Sequence, residues 1–112
     1  MPTIGIMKTP KRYERVWPAT FRNAFGDYLI QISVGEKNFV LFKGGHRLCV
    51  FTPVEAGATG VPITPGKYRR HSAEIIARVR WGKERFLIVK RGRRLAWIRP
   101  VGDLGIKETA DV

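Results

Sequence analysis

The chain has 112 residues, with 21 Lys or Arg against 9 Asp or Glu, and therefore a formal net charge of +12. A hydrophobic fraction of 44% is too high for a disordered basic tail, and the length suits one domain over residues 1–112. Apolar runs such as Phe39–Phe42 are too short to cross a bilayer, and the N-terminus lacks the apolar stretch of a secretory signal. We therefore expect no membrane partner and a cytoplasmic protein, or one that is otherwise intracellular or virion-associated.

An internal repeat organises the sequence. At an offset of 47, residues 18–54 align without a gap to residues 65–101, and ten of the 37 pairs are identical. The identities fall mainly on glycines, prolines and apolar residues, the residue types that define turns and cores. In chain order we predict an N-terminal arm at 1–17, a β unit at 18–54, a linker at 55–64, a second β unit at 65–101 and a C-terminal tail at 102–112.

Each repeat is predicted to be a three-stranded antiparallel meander. The segments concerned are rich in Val, Ile, Leu and aromatic residues, as strands are. Short turns that contain glycine separate them, as in tight hairpins. The predicted strands lie near 28–34, 37–43 and 46–52, and recur near 75–81, 84–90 and 93–99.

The register set by two-residue hairpin loops places one apolar set on a common face of each meander. Two such faces packed together predict an all-β fold, a six-stranded barrel or sandwich with internal pseudo-twofold symmetry. Such a domain is closed as a monomer, and a homodimer is the alternative. The same register turns Trp81 inward and Cys49 outward. The predicted core residues are Ile30, Ile32, Phe39, Leu41, Leu48 and Val50, and their counterparts Ala77, Val79, Phe86, Ile88, Leu95 and Trp97.

The positive charge is concentrated in the second repeat, since residues 67–100 carry 12 bases and 2 acids. Such a concentration indicates a polyanionic partner, with nucleic acid the first candidate. On the predicted outer face lie Arg78, Arg80 and Arg85, whose counterparts in the first repeat are uncharged. Arg80 and Arg85 would face each other across a hairpin, which destabilises a fold and favours an anionic ligand.

Further basic residues lie at the predicted hairpin tips and just before a predicted strand. A hairpin tip with several positive charges can reach a groove or clamp a nucleic-acid backbone. The remaining predicted nucleic-acid-binding residues are Lys90, Arg91, Arg93, Arg94, Arg69, Arg70, Lys43 and Arg47.

The predicted function is therefore that of a protein that binds the phosphate backbone of DNA or RNA, single strands included. The alternative is a basic structural or inhibitory adaptor, viral or regulatory, that binds an acidic protein surface. The acids are scattered and no nucleophile motif is present, so we do not expect an enzyme. With one cysteine and two histidines outside any ligand spacing, no metal or other cofactor is expected.

Overall fold

The computed structural model describes residues 13–35 and 37–108. Within these residues the chain forms one mixed six-stranded sheet and three helices. The first unit, residues 14–52, contains β1 (Glu14–Val16), α1 (Pro18–Asn23), α2 (Phe25–Ser33), β2 (Phe39–Lys43) and β3 (His46–Thr52).

The second unit, residues 61–99, repeats this order. It contains β4 (Val61–Ile63), α3 (Pro65–Gly82), β5 (Phe86–Lys90) and β6 (Arg93–Arg99), and a 3-10 helix, Val101–Leu104, follows it. Each element of the second unit lies close to 47 residues after its counterpart, with α3 taking the place of α1 and α2 together. The repeat seen in the sequence is thus a repeat of a strand–helix–strand–strand unit.

The two units meet at the centre of the sheet, whose strand order is β1-β2-β3-β6-β5-β4. In each unit the first strand pairs in parallel with the second, and the last two strands form an antiparallel hairpin. Only three residue pairs join β3 to β6, and the middle pair is Phe51 with Ile98. These two residues are counterparts in the repeat, so a pseudo-twofold axis passes between them. Because β3 and β6 are antiparallel, the two hairpin tips point to opposite ends of the sheet.

The prediction of six strands is correct in number, but a barrel or sandwich is wrong, because the strands form a single open sheet that carries helices. The predicted strands near 37–43, 46–52, 84–90 and 93–99 are confirmed as β2, β3, β5 and β6. The other two predicted strands, residues 28–34 and 75–81, lie largely in α2 and in α3. In their place, β1 lies inside the predicted arm at 1–17, and β4 lies inside the predicted linker at 55–64.

Proline and apolar spacing explain the helices. Pro18 and Pro65 occupy the first turns of α1 and α3, where a missing N–H costs nothing. The Thr64 side chain caps α3 by accepting a hydrogen bond from the Lys67 N–H at 3.1 Å. In the first unit the buried residues Phe21, Phe25, Leu29 and Ile32 recur every three or four positions, the period of a helix face buried against a sheet.

A β-bulge explains why part of the predicted core faces the other way. The register of the first hairpin shifts between Leu41 and Phe42, so Phe39 pairs with Phe51 and not with Val50. The second hairpin has its shift at the equivalent position, between Ile88 and Val89. A shift of one residue reverses which side chains share a face. Val50 and Trp97 therefore lie on the face opposite the helices.

The main core lies between the helices and the sheet. Cys49 and Phe51, both fully buried, belong to it, so the prediction that Cys49 faces outward is wrong. Leu48, Leu95 and Trp97 are only partly buried, whereas Ile30 and Ala77 are exposed because they lie on the outer side of the helices. The predicted core residues that are fully or nearly fully buried are Ile32, Phe39, Leu41, Val50, Val79, Phe86 and Ile88.

The helices pack across the pseudo-twofold axis as well as on their own unit. α2 contacts β6 and α3 contacts β3, each a strand of the other unit. Tyr68 of α3 is fully buried and stacks on Phe25 of α2, with ring centroids 4.5 Å apart. The aromatic core of the first unit is thus completed by a side chain from the second.

Candidate nucleic-acid interface

Three of the predicted site arginines lie outside the strands. Arg78 and Arg80 are on α3, and Arg85 immediately precedes β5. The predicted opposition of Arg80 and Arg85 across a hairpin is wrong, because the segment that contains Arg80 is helical. These arginines therefore do not form a row on one sheet face.

Arg78 and Arg85 each have a carboxylate partner. The Arg78 guanidinium donates to both carboxylate oxygens of Glu84, at 3.0 and 2.6 Å, and Arg85 donates to both of Asp103, at 2.7 and 2.6 Å. The bond from Arg78 holds the pKa of Glu84 below its ordinary value, and the bond to Asp103 raises the pKa of Arg85. A two-pronged pair of this kind occupies the Nε and Nη2 edge of the guanidinium, and the carboxylate neutralises the charge that would attract a phosphate.

Arg80 and Arg47 are held by the C-terminal segment. The Arg80 guanidinium pairs with the Glu108 carboxylate, and this bond is the largest cause that lowers the pKa of Glu108. Arg47 donates through its side chain to the Lys107 carbonyl at 3.0 Å and through its backbone N–H to the Glu108 carbonyl at 2.6 Å. Both predicted site residues thus have partners within the chain.

The basic residues of the second hairpin tip are different. We define the tip cluster as Arg69, Lys90, Arg91, Arg93 and Arg94. In the part of the chain that the structure describes, no hydrogen bond or ion pair involves any of these five side chains. Four of them lie within five consecutive residues. These four unpaired cations repel one another, and an anionic partner relieves that repulsion.

The backbone at the second hairpin tip is strained at Arg91. Arg91 and Gly92, the two central residues of the turn, have φ angles of 52° and 78°. A turn with positive φ at both positions suits the twist of a hairpin and favours glycine. The first tip meets this requirement with Gly44 and Gly45, at 61° and 80°. An arginine in a conformation that favours glycine is typical of a position where the side chain has a role.

A groove brings part of the tip cluster together. Arg69 at the start of α3 and Lys90 and Arg93 at the hairpin tip line a groove of about 430 Å³ whose other wall is α2. Asp27 is the acidic residue among the described lining residues. The α2 wall is not predictable from the local pattern, because residues 28–34 alternate as a strand does.

Two predicted site residues stay apart from the cluster. Arg70 is exposed on α3 but does not line the groove, and Lys43 is exposed at the first hairpin tip, at the opposite end of the sheet. Trp81 was predicted to face inward, but it is 66% exposed at the end of α3, with the Arg80 guanidinium 4.2 Å from its ring centroid. Trp81 is therefore an exposed aromatic surface that the strand assignment concealed.

No protein-family model matches the chain, and no curated protein or solved structure is significantly similar to it.

Burial raises the pKa of the Cys49 thiol far above its ordinary value, which keeps the thiol neutral. Among residues 13–35 and 37–108, no three His, Cys, Asp or Glu side chains are placed to hold a metal ion, and no helix is long and apolar enough to cross a membrane.

Proposed function

We propose that the protein binds nucleic acid through the phosphate backbone, and that the tip cluster is the docking site. The observation that carries this proposal is the contrast between two sets of cations. The cations at 78, 80 and 85 are paired with carboxylates of the chain, whereas the tip cluster has no such partners in the described residues. Arginine presents a planar fork of donors that matches a phosphate group.

The site supports backbone contacts and not base readout. Lysine and arginine on a projecting hairpin contact phosphates, which position a protein without specifying a sequence. Each neutralised phosphate releases counterions, so affinity falls steeply as salt is raised. The binding assay therefore compares a single-stranded DNA, its duplex and an RNA of the same sequence at about 50 and about 200 mM salt, conditions that span a large expected change.

Two triple variants, each lacking three positive charges, distinguish the contribution of the tip cluster to binding from the effect of net charge. In the tip variant, Lys90, Arg93 and Arg94 become Gln. In the control variant, Arg78→Gln, Arg80→Ser and Arg85→Asn introduce the residues of the first unit. We expect the tip variant to reduce the slope of log affinity against log salt by about 0.7–0.9 per lost contact and the control to keep most of it.

The outcomes are distinct. Equal losses in both variants would show that net charge alone drives binding. A larger loss in the control would restore the sequence-based prediction that Arg78, Arg80 and Arg85 form the docking face. If none of the three nucleic acids binds wild-type protein at the lower salt concentration, the proposed function is wrong.

A further inference from the structure

The C-terminal segment packs against the first unit beside the free edge of β3. The part of β3 near the tip lies beyond the three pairs that join β3 to β6, so its outer edge is open to another chain. Lys107 and Glu108 lie along this edge, with the Glu108 carbonyl accepting from the Arg47 N–H at 2.6 Å. The Glu108 side chain pairs with Arg80 of α3. The segment thus binds through one backbone hydrogen bond to a strand edge and through a carboxylate to a cation.

In the second unit, the edge of β6 near the hairpin tip is the counterpart of this edge of β3. No segment among the described residues pairs with it. Arg94 of β6 is the counterpart of Arg47, and it makes no backbone hydrogen bond outside its own hairpin in the described part of the chain. The groove of about 430 Å³ lies beside this edge, between β6 and α2. Its residues are the counterparts of those around Glu108, since Arg93 corresponds to His46 and Ser33 to Arg80. The pseudo-twofold axis therefore relates an occupied groove to an open one.

The open groove is more basic than an ordinary strand edge. Arg69, Lys90 and Arg93 line it against one acidic lining residue among those described. Its apolar surface comes from Leu29, Leu95 and Ile30, and Ile30 is 63% exposed. Apolar contacts below and cations at the rim suit an extended segment that alternates apolar and acidic side chains, because successive residues of a strand point to opposite sides.

We propose that this groove binds an extended acidic peptide segment of a partner protein, which adds to the edge of β6 as a further strand. The backbone of the peptide pairs with β6 at Arg94, and its carboxylates face Arg69, Lys90 and Arg93. Strand addition to an exposed edge derives affinity from main-chain hydrogen bonds and specificity from side-chain pockets. A peptide, unlike a nucleic acid, supplies carbonyl acceptors at the spacing of a strand. The groove shares Arg69, Lys90 and Arg93 with the tip cluster, so the peptide and a nucleic acid would compete for these cations, but the peptide proposal does not require that nucleic acid binds.

The probe is a synthetic peptide with the sequence of residues 104–112 in which Lys107 is replaced by Glu, and the control peptide has every carboxylate side chain replaced by its amide. Amide chemical shifts of the full chain are followed by NMR as each peptide is added. We expect the acidic peptide to shift the amides of Arg94, Leu95 and Ala96, and the amide control to shift none of them. Shifts confined to the amide of Arg47, where the chain's own tail is displaced, would overturn the proposal, as would no shift at all.

Matched variants test the charge contribution. Arg69→Glu is expected to lower the affinity for the acidic peptide by about tenfold at low salt, because a cation at the rim of the groove becomes an anion that repels the peptide. Arg22→Glu, the same change at the pseudo-symmetric position on α1, is expected to leave the affinity close to that of wild type. Equal effects of the two changes would overturn the proposal.

An oligonucleotide that shifts the amides of residues 94–96 when the peptide does not would assign the groove to nucleic acid instead. Because the peptide titration contains no nucleic acid, its failure is distinguishable from failure of the proposed function.

Discussion

Replacing Arg91 with glycine is expected to stabilise the fold while weakening nucleic-acid binding. Arg91 has a φ angle of 52°, and the left-handed region costs a residue with a side chain about 1–2 kcal/mol. Glycine avoids that cost, but it makes the unfolded chain more flexible, which lowers the free energy of unfolding by about 0.4–1 kcal/mol. The free energy of unfolding should therefore rise by about 0.5–1 kcal/mol, which for a chain of this size raises the melting temperature by roughly 2–4 °C.

Thermal unfolding followed by circular dichroism measures the first effect, and the salt dependence of oligonucleotide binding measures the second. Loss of one phosphate contact should reduce the salt slope by about 0.7–0.9. The converse change, Gly44→Arg, places an arginine at the φ of 61° in the first tip and should lower the melting temperature. A variant Arg91→Gly that is less stable than wild type, or that binds with an unchanged slope, would refute the argument that a strained arginine is retained for binding.

Three further changes test the fold and its C-terminal segment. Gly60→Ala should destabilise the protein by about 1–3 kcal/mol in denaturant unfolding, because the new Cβ would lie 2.8 Å from the backbone carbonyl oxygen of Arg85. Ile98→Ala, at a fully buried position in the central strand pair, should cost about 2–5 kcal/mol by the same measurement. The bond from Arg80 lowers the pKa of Glu108, so its contribution is present above the ordinary carboxyl pKa and is lost as pH falls through the lowered value. The NMR signals of the C-terminal segment should therefore change with a midpoint below the ordinary carboxyl pKa, and Glu108→Gln should abolish this transition.

The hairpins could be predicted from sequence because their signals are local. Glycines at 44, 45 and 92 mark the tips, and strands rich in β-branched and aromatic residues flank them. The bulge could not be predicted from these signals, since nothing in the sequence between Leu41 and Phe42 distinguishes a regular ladder from one with an extra residue. That shift puts Phe51 in the core in place of the predicted Val50, and the equivalent shift between Ile88 and Val89 puts Ile98 there in place of Trp97.

The helices were misassigned because two periods overlap in the same residues. Residues 28–34 alternate well enough to read as a strand, but Phe21, Phe25, Leu29 and Ile32 also follow the helical period over a longer stretch. The prolines at the helix starts were a usable signal, because proline is common in the first turn of a helix. With the helices misplaced, Arg78 and Arg80 were assigned to a strand.

Part of the candidate site could be proposed from the sequence, because its signals are local. The four cations at 90–94 follow from charge and turn chemistry, both of which are visible in the sequence, whereas Arg69 is placed beside them by the fold. The partners of the other arginines are not, because Arg85 and Arg80 find their carboxylates 18 and 28 residues further along the chain. An ion pair over such a separation depends on the fold, and charge counting cannot distinguish a paired cation from an unpaired one.

The packing of each helix across the pseudo-twofold axis has a consequence for how the chain folds during synthesis. Phe21 and Phe25 acquire their full set of neighbours only when Tyr68 of the second unit is in place. A nascent chain that has emerged only as far as the first unit therefore exposes aromatic surface that it cannot cover by itself. Two such chains at high concentration can cover each other in the same arrangement, since the two units are structurally alike. The residues between β3 and β4 join the two units. The length and flexibility of this linker consequently determine whether a chain folds as a monomer or forms a domain-swapped dimer.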